Sequence, residues 1–235
     1  MSTNLAKSVY ELDLGLMPYI EAWQLQKDLL SAKTRKPDLA DIIMMVEHPP
    51  VVTLGRGGKR DNLLVSLDEL KQMGIEFFHV ERGGDATFHG PGQQVIYFIF
   101  FLDENEMSIA DFVYNLEEVV LLTLNNLGIK GCGRSSFQRG VFVDMRKIAS
   151  VGIAVKDRIT YHGIALNNDM ELEPFHFLNP CGISGTRMTS IKTELGKGCP
   201  SNQLKEIIQG HTKTVFNCQL TKLSQKELAM EMQTI

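Results

Sequence analysis

The chain has 235 residues, 43% of them hydrophobic and 22% charged, with a formal net charge of -4. That balance supplies a full core, excludes a disordered chain, and argues against a general nucleic-acid binder, which is normally basic. No apolar run reaches the roughly 18 residues of a bilayer span, and the opening MSTNLAKSVYELDLG holds no signal-peptide core, so a soluble cytoplasmic protein without membrane or nucleic-acid partners is expected.

Residues 8–14 read as a first strand. Pro18 suits the first turn of a helix running to about Lys33, with Ile20, Trp23, Leu29 and Leu30 on its apolar side. Residues 41–47 and 51–54 read as strands broken by His48, Pro49 and Pro50. Ser66 and Glu69 form a capping box for a short helix ending near Gly74. A strand over 75–80 leads into ERGGDATFHGPGQQ (81–94), which reads as a glycine-rich loop before the β-favouring VIYFIFFL (95–102). Ser108 caps a long helix that ends before Gly128, its apolar side carrying Ile109, Phe112, Leu116, Val119, Val120, Leu124 and Leu127.

Residues 140–144, 147–155 and 159–166 read as three successive antiparallel strands. Ser201 starts a helix through about Thr212, and Ser224 with Glu227 caps a last one. The pattern predicts an α/β (α+β) chain, a mixed β-sheet covered by helices. A single domain over 1–235 is expected, with 200–235 a helical tail packed on it.

Common chemical signatures are missing. RGGDATFHG has the wrong glycine spacing for a dinucleotide fingerprint, and a strand follows it rather than a helix. There is no phosphate-binding GxxxxGK[ST] and no GxSxG elbow. GRGGKR (55–60) reads as a solvated turn. The six histidines show no metal-ligand spacing, so neither a metal nor a cofactor is expected. Cys132, Cys181, Cys199 and Cys218 form no CxxC pair and read as free thiols.

Four segments remain. The glycine-rich stretch lets backbone approach something bulky, though a wide turn would look the same. Lys147 begins the otherwise apolar KIASVG, where a lysine is ordinarily a solvated charge. His162 precedes Gly163 in HGIALN, a pairing equally suited to a core histidine beside a bulge. Cys181 stands between Pro180 and Gly182 in NPCG, a sharp turn that can present a thiol, although most lone cysteines are buried and inert. Together they make chemical sense. A thiolate is the nucleophile, and a nearby ammonium favours it.

In their order, RGGDATFHGPGQ, KIASVG, HGIALN and NPCG resemble the lipoyl(octanoyl) transferases, from about Val9 to Ile191. HPPVVTLG (48–55) resembles that family's early HxPVxTxG segment. The resemblance implies the biotin/lipoyl protein ligase-like catalytic fold. It implies transfer of an octanoyl group from acyl carrier protein to a lysine of lipoyl domains, those of 2-oxoacid dehydrogenase E2 subunits and of the glycine cleavage H protein. Cys181 would hold the acyl group as a thioester, and Lys147 would activate it and shuttle protons. Arg82, Gly83, Gly84, Asp85, Ala86, Thr87, Phe88 and His89 would line the acyl pocket. Ser150, Val151, Gly152, His162, Gly163, Ile164 and Ala165 would close it. Phe88 stands where tyrosine is common, and SGTR (184–187) is more polar than the family leads one to expect.

The chemistry fits these residues. Exchange of one thioester for another needs little driving force, and amide formation is downhill. Each addition needs fixed oxyanion donors, for which backbone N–H groups near Gly182 or in the glycine-rich stretch are candidates. Gly83, Gly84, Gly152 and Gly163 leave room for an acyl chain, with Val151, Ile164 and Phe88 as apolar walls. Arg56, Lys59, Arg60, Arg134, Arg139, Arg146 and Arg187 lie near the motifs and suit acidic carriers. A monomer is expected. The rivals are a lipoate–protein ligase, which needs ATP and no cysteine, a transferase between two lipoyl domains, and a non-catalytic acyl-binding module.

Overall fold

The computed structural model describes residues 6–103, 107–183 and 185–233. The chain opens with β1 (Lys7–Leu16) and α1 (Tyr19–Arg35), then β2 (Asp41–Glu47) and β3 (Val51–Leu54). Next come α2 (Leu67–Gln72), β4 (Glu76–His79), β5 (Ala86–His89) and β6 (Gln93–Ile99). The long α3 (Ile109–Asn126) leads to β7 (Cys132–Arg134), β8 (Gly140–Val143), β9 (Arg146–Lys156) and β10 (Ile159–Asn167). The last elements are β11 (Arg187–Met188), α4 (Ile191–Leu195), α5 (Ser201–Val215), β12 (Cys218–Lys222) and α6 (Gln225–Gln233).

Local chemistry sets several boundaries. Ser66 Oγ accepts the Glu69 N–H at 3.2 Å while Glu69 returns a bond to the Ser66 N–H, the capping box expected for α2. Ser108 and Asp111 do the same for α3. Pro18 precedes the first residue of α1, where its missing N–H costs nothing.

The main sheet runs β12-β1-β2-β6-β10-β9-β8-β7, with β11 added beside β9. β1 is parallel to both β2 and β12, and β8, β9 and β10 are antiparallel as expected. Period-two alternation gives the sheet two apolar faces. Ile43, Met45, Ile96 and Phe98 join Phe112, Leu116, Leu204 and Ile208 of α3 and α5. Ile42, Met44, Val46, Val95, Tyr97 and Ile99 join Ala22, Leu29 and Leu30 of α1 on the other face. Covered on both faces, β2 and β6 carry the near-continuous apolar sequence such strands require. No described helix is long and apolar enough to cross a membrane.

A second sheet, β4-β3-β5, packs its own core with Phe175, Leu178 and Met170. Two expectations change here. The stretch 81–94 is not one loop: Ala86–His89 is a strand antiparallel to β3. Residues 200–235 are not purely helical, because Cys218–Lys222 forms the edge strand beside β1.

Candidate active site

A cleft opens between the second sheet and the face of the main sheet that carries Tyr97 and Ala165. Arg82 to Thr87 and His89 form one wall. Ser150, Val151 and Gly152 of β9, with His162 to Ala165 of β10, form the other. All of the anticipated pocket residues line it except Phe88. Alternation along β5 explains the exception: Thr87 and His89 take the cleft side, whereas the Phe88 ring packs edge-on to Phe175 at 5.8 Å. Tyr19, Val95 and Tyr97 complete the lining.

Gly163 has a different reason from the one expected. A Cβ there would meet Ile96 O at 2.1 Å, so its lack of a side chain lets β10 pair closely with β6 rather than widening the cleft. Just before it, His162 has φ +62, and its N–H donates to Gln26 Oε1 of α1 at 2.7 Å. The left-handed kink is thus held by a buried partner outside the sheet. The His162 ring is buried, and that burial keeps it below the usual imidazole range. Its Nε2 lies 3.7 Å from Glu81 Oε2, too long for a hydrogen bond.

A buried polar chain runs behind the cleft. Arg82 Nη2 donates to Thr53 O at 2.7 Å and Thr53 Oγ1 at 2.8 Å. Thr53 Oγ1 reaches His89 Nε2 at a long 3.4 Å, and His89 Nδ1 meets Gln93 Oε1 at 2.7 Å. Gln93 donates to Asn167 Oδ1, Asn167 to Thr189 O, and the Thr189 N–H to Lys147 O, each at 2.9 Å. The Gln93 amide donates through Nε2, so its oxygen accepts and His89 carries its proton on Nδ1. Burial first, then the nearby His48, pushes His89 down to about 3; burial pushes His48 to about 4. Both rings are therefore neutral, and Tyr97 donates its hydroxyl to His48 Nε2 at 2.7 Å while His48 Nδ1–H bonds Met17 O.

Lys147 lies at the start of β9 and is fully buried. The pairing of β8 with β9 slips by one residue there and leaves Ile148 as a bulge, a device that bends a strand and re-aims its side chains. Lys147 Nζ donates to Arg139 O at 2.8 Å. Met188 of β11 pairs with Lys147, so the segment following Cys181 runs beside that strand. Cys181 sits in a single 3-10 turn, Pro180–Gly182, and its side chain lies outside what the structure describes. The turn is anchored against the cleft. Asn179 N–H donates to Asn62 O, and Asn62 Nδ2 donates to Asp85 at 2.6 Å. Gly182, at φ +72, approaches Asp85 so closely that a Cβ would meet Oδ2 at 2.7 Å. GRGGKR is more than a solvated turn: the N–H groups of Gly55 and Arg56 bond the carbonyls of Asp85 and Arg82. Two suggested oxyanion donors are already engaged, Gly182 N–H to Asn179 O and Gly83 N–H to Ile153 O.

Residues 18–213 match the family described as the lipoyl protein ligase A/B catalytic domain. The chain belongs to that family. Among its relatives, an octanoyltransferase of Syntrophobacter fumaroxidans is 43% identical over 212 residues, covering 90% of this chain and 92% of its own. One of Dictyoglomus thermophilum is 42% identical over 187 residues, covering 80% and 78%. The fold extends further. A Thermoplasma acidophilum structure of a bi-partite lipoate protein ligase and its E2 lipoyl domain superposes with TM-score 0.76 at 15% identity, over 96% of this chain and 90% of that one. Lipoate-protein ligase A bound with ATP gives 0.72 at 14%, over 97% and 93%. As a lipoyl protein ligase A/B catalytic domain, the chain places four distant sequence segments around one cleft. Tyr19 and Tyr97 escape a sequence reading because each sits in an element explained by its core packing alone.

Proposed function

We propose that the chain transfers an octanoyl group from acyl carrier protein to a lysine of lipoyl domains, through a thioester on Cys181. The acceptors on this reading are lipoyl domains of 2-oxoacid dehydrogenase E2 subunits and the glycine cleavage H protein, and the enzyme works as a monomer. The observation that carries the proposal is the junction of cleft and turn: Asp85, which lines the cleft, packs on Gly182, the residue after Cys181. An acyl chain in the cleft would thus end near the thiol's own backbone. Val95, Tyr97 and Ala165 offer it apolar contact, worth about 0.8 kcal/mol for each buried CH₂, whereas the Val151 and Ile164 side chains, expected as walls, pack in the core on the opposite face of the sheet.

The chemistry then has two steps. The Cys181 proton passes to Lys147, and the thiolate attacks the donor carbonyl. The new C–S bond forms, the bond to the carrier sulfur breaks, and that sulfur leaves with the proton from Lys147. In the second step the acceptor amine attacks, the amide forms, and the Cys181 sulfur leaves as the amine proton moves to Lys147. Splitting the transfer spares two carrier proteins from binding together.

Mass spectrometry after incubation with octanoyl carrier protein tests this. The expected result is one octanoyl increment on the Cys181 peptide, absent in Cys181→Ser, and turnover without ATP. Sustained turnover with no adduct would overturn the covalent scheme. Full activity in Cys181→Ala would do the same.

A further inference from the structure

Glu117 is only 2% exposed, although it stands on α3 among Leu116, Val119 and Val120 of the core. A buried carboxylate requires partners. Its Oε1 accepts the Gly140 N–H at 2.8 Å. The carbonyl of the same peptide group, Arg139 O, accepts Lys147 Nζ at 2.8 Å. One peptide is therefore held by the Glu117 side chain at its N–H end and by the Lys147 amino group at its C=O end. Each bond polarises the group in the sense that strengthens the other. Gly140 has φ +127, and a Cβ there would meet Lys147 Cε at 2.9 Å, so the backbone lies directly against the lysine.

The other charges around Glu117 do not cancel it. Arg134 of β7 approaches Glu117 Oε2 at 3.3 Å but also bonds Glu118 at 2.5 Å and stacks on Tyr114. Two carboxylates thus share one guanidinium. Arg134 and Glu118 are partly exposed and screened by water, whereas Glu117 acts from within the protein.

We propose that Glu117 is a positioning residue for Lys147, acting through the Arg139–Gly140 peptide to favour the ammonium–thiolate pair of Lys147 and Cys181. The inference rests on the proposed role of Lys147. In forming that pair the S–H bond breaks and an N–H bond forms, with no other reactant.

Glu117→Gln is the decisive variant, since it keeps an acceptor for Gly140 and removes the charge. The readouts are alkylation of Cys181 by iodoacetamide at neutral pH, followed by peptide mass spectrometry, and single-turnover acylation by octanoyl carrier protein. Both rates are expected to fall about tenfold, with KM for the carrier unchanged. Glu117→Asp, which keeps the charge at a shorter reach, is expected between the two. In a Lys147→Met background, Glu117→Gln should change alkylation by less than about twofold. The proposal is overturned if Glu117→Gln reacts like wild type, or slows equally with and without Lys147. Unchanged reactivity and turnover in Lys147→Met alone would instead overturn the role of the lysine, and this proposal with it. Should Glu117→Gln not fold, Glu117→Asp in both backgrounds gives the same comparison.

Discussion

Gln93 and Asn167 face each other across β6 and β10, and the Gln93 side-chain amide donates to Asn167 Oδ1 at 2.9 Å. This pair is the middle link between the arginine of the cleft and the strand that carries Lys147. Both side chains are buried, so neither can exchange its partner for water.

Asn167→Leu removes the donor to Thr189 O and an acceptor of the Gln93 amide. Each buried group left unpaired costs about 1–3 kcal/mol. Urea unfolding is expected to show a loss of that size. In a chain this long each kcal/mol lowers Tm by about 2–4 °C.

Stability is expected to fall in acid through His48 and His89. Their folded values of about 4 and about 3 lie below the ordinary 6.5, so the unfolded chain binds the extra protons first. Their contribution is complete above about pH 6.5 and is lost as pH falls toward 4 and then 3, at up to about 1.4 kcal/mol per histidine per pH unit. Chemical denaturation across this window measures the slope. His89→Gln should make it shallower.

Two glycines separate fold from selectivity. Gly163→Ala drives a Cβ into Ile96 O, a backbone atom of the paired strand that cannot move aside, and should destabilise by about 3 kcal/mol. Gly152→Ala meets Gly83 O at 3.0 Å and Arg82 Cδ at 3.4 Å, a contact relieved by small shifts of the cleft wall. Its expected effect is a folded protein that prefers shorter acyl chains, read from kcat/KM across a series of acyl carrier substrates.

The surface arginines divide by their neighbours. Arg134 and Arg146 are engaged by Glu117 and Glu118, and by Asp144 and Glu194. Arg56, Lys59, Arg60, Arg139 and Arg187 are exposed and carry no ion pair among the described residues. Arg139→Glu with Arg187→Glu should lower kcat/KM for octanoyl carrier protein and flatten its salt dependence, leaving Tm near wild type. Arg134→Glu should lower Tm instead. Indifference of kcat/KM to salt and to the double reversal would remove these two residues from the docking face.

Signals confined to a few residues survived translation into three dimensions. Ser66 with Glu69, and Ser108 with Asp111, cap helices wherever those helices pack, so both were readable. The succession of β8, β9 and β10 was readable for the same reason, since short connections favour neighbouring antiparallel strands. Long-range partners were not. Cys218–Lys222 alternates weakly and becomes a strand only because β1 offers it an edge. Ile109 belongs to the apolar pattern of α3, yet it is 53% exposed because it precedes the part of the helix that meets the sheet. Phe88 shares its segment with cleft residues but takes the opposite face of a strand not evident in a glycine-rich stretch. Nothing local marks Glu117 as buried, because its partners Gly140 and Arg134 come from later strands.

The pairing of Lys7 with Cys218 joins the first strand to the last. Contacts so far apart along the chain form late and slow folding, since a long loop must close before they are rewarded. During synthesis β1 must wait beside β2 with one edge bare until β12 leaves the ribosome. The strands that build the cleft, β5, β6, β9 and β10, are all made before then. The cleft can therefore assemble before β12 pairs, and that strand moves the edge of the sheet outward to a short segment with Gln219, Thr221 and Lys222 exposed, a border less open to edge-to-edge association, rather than adding to the chemistry.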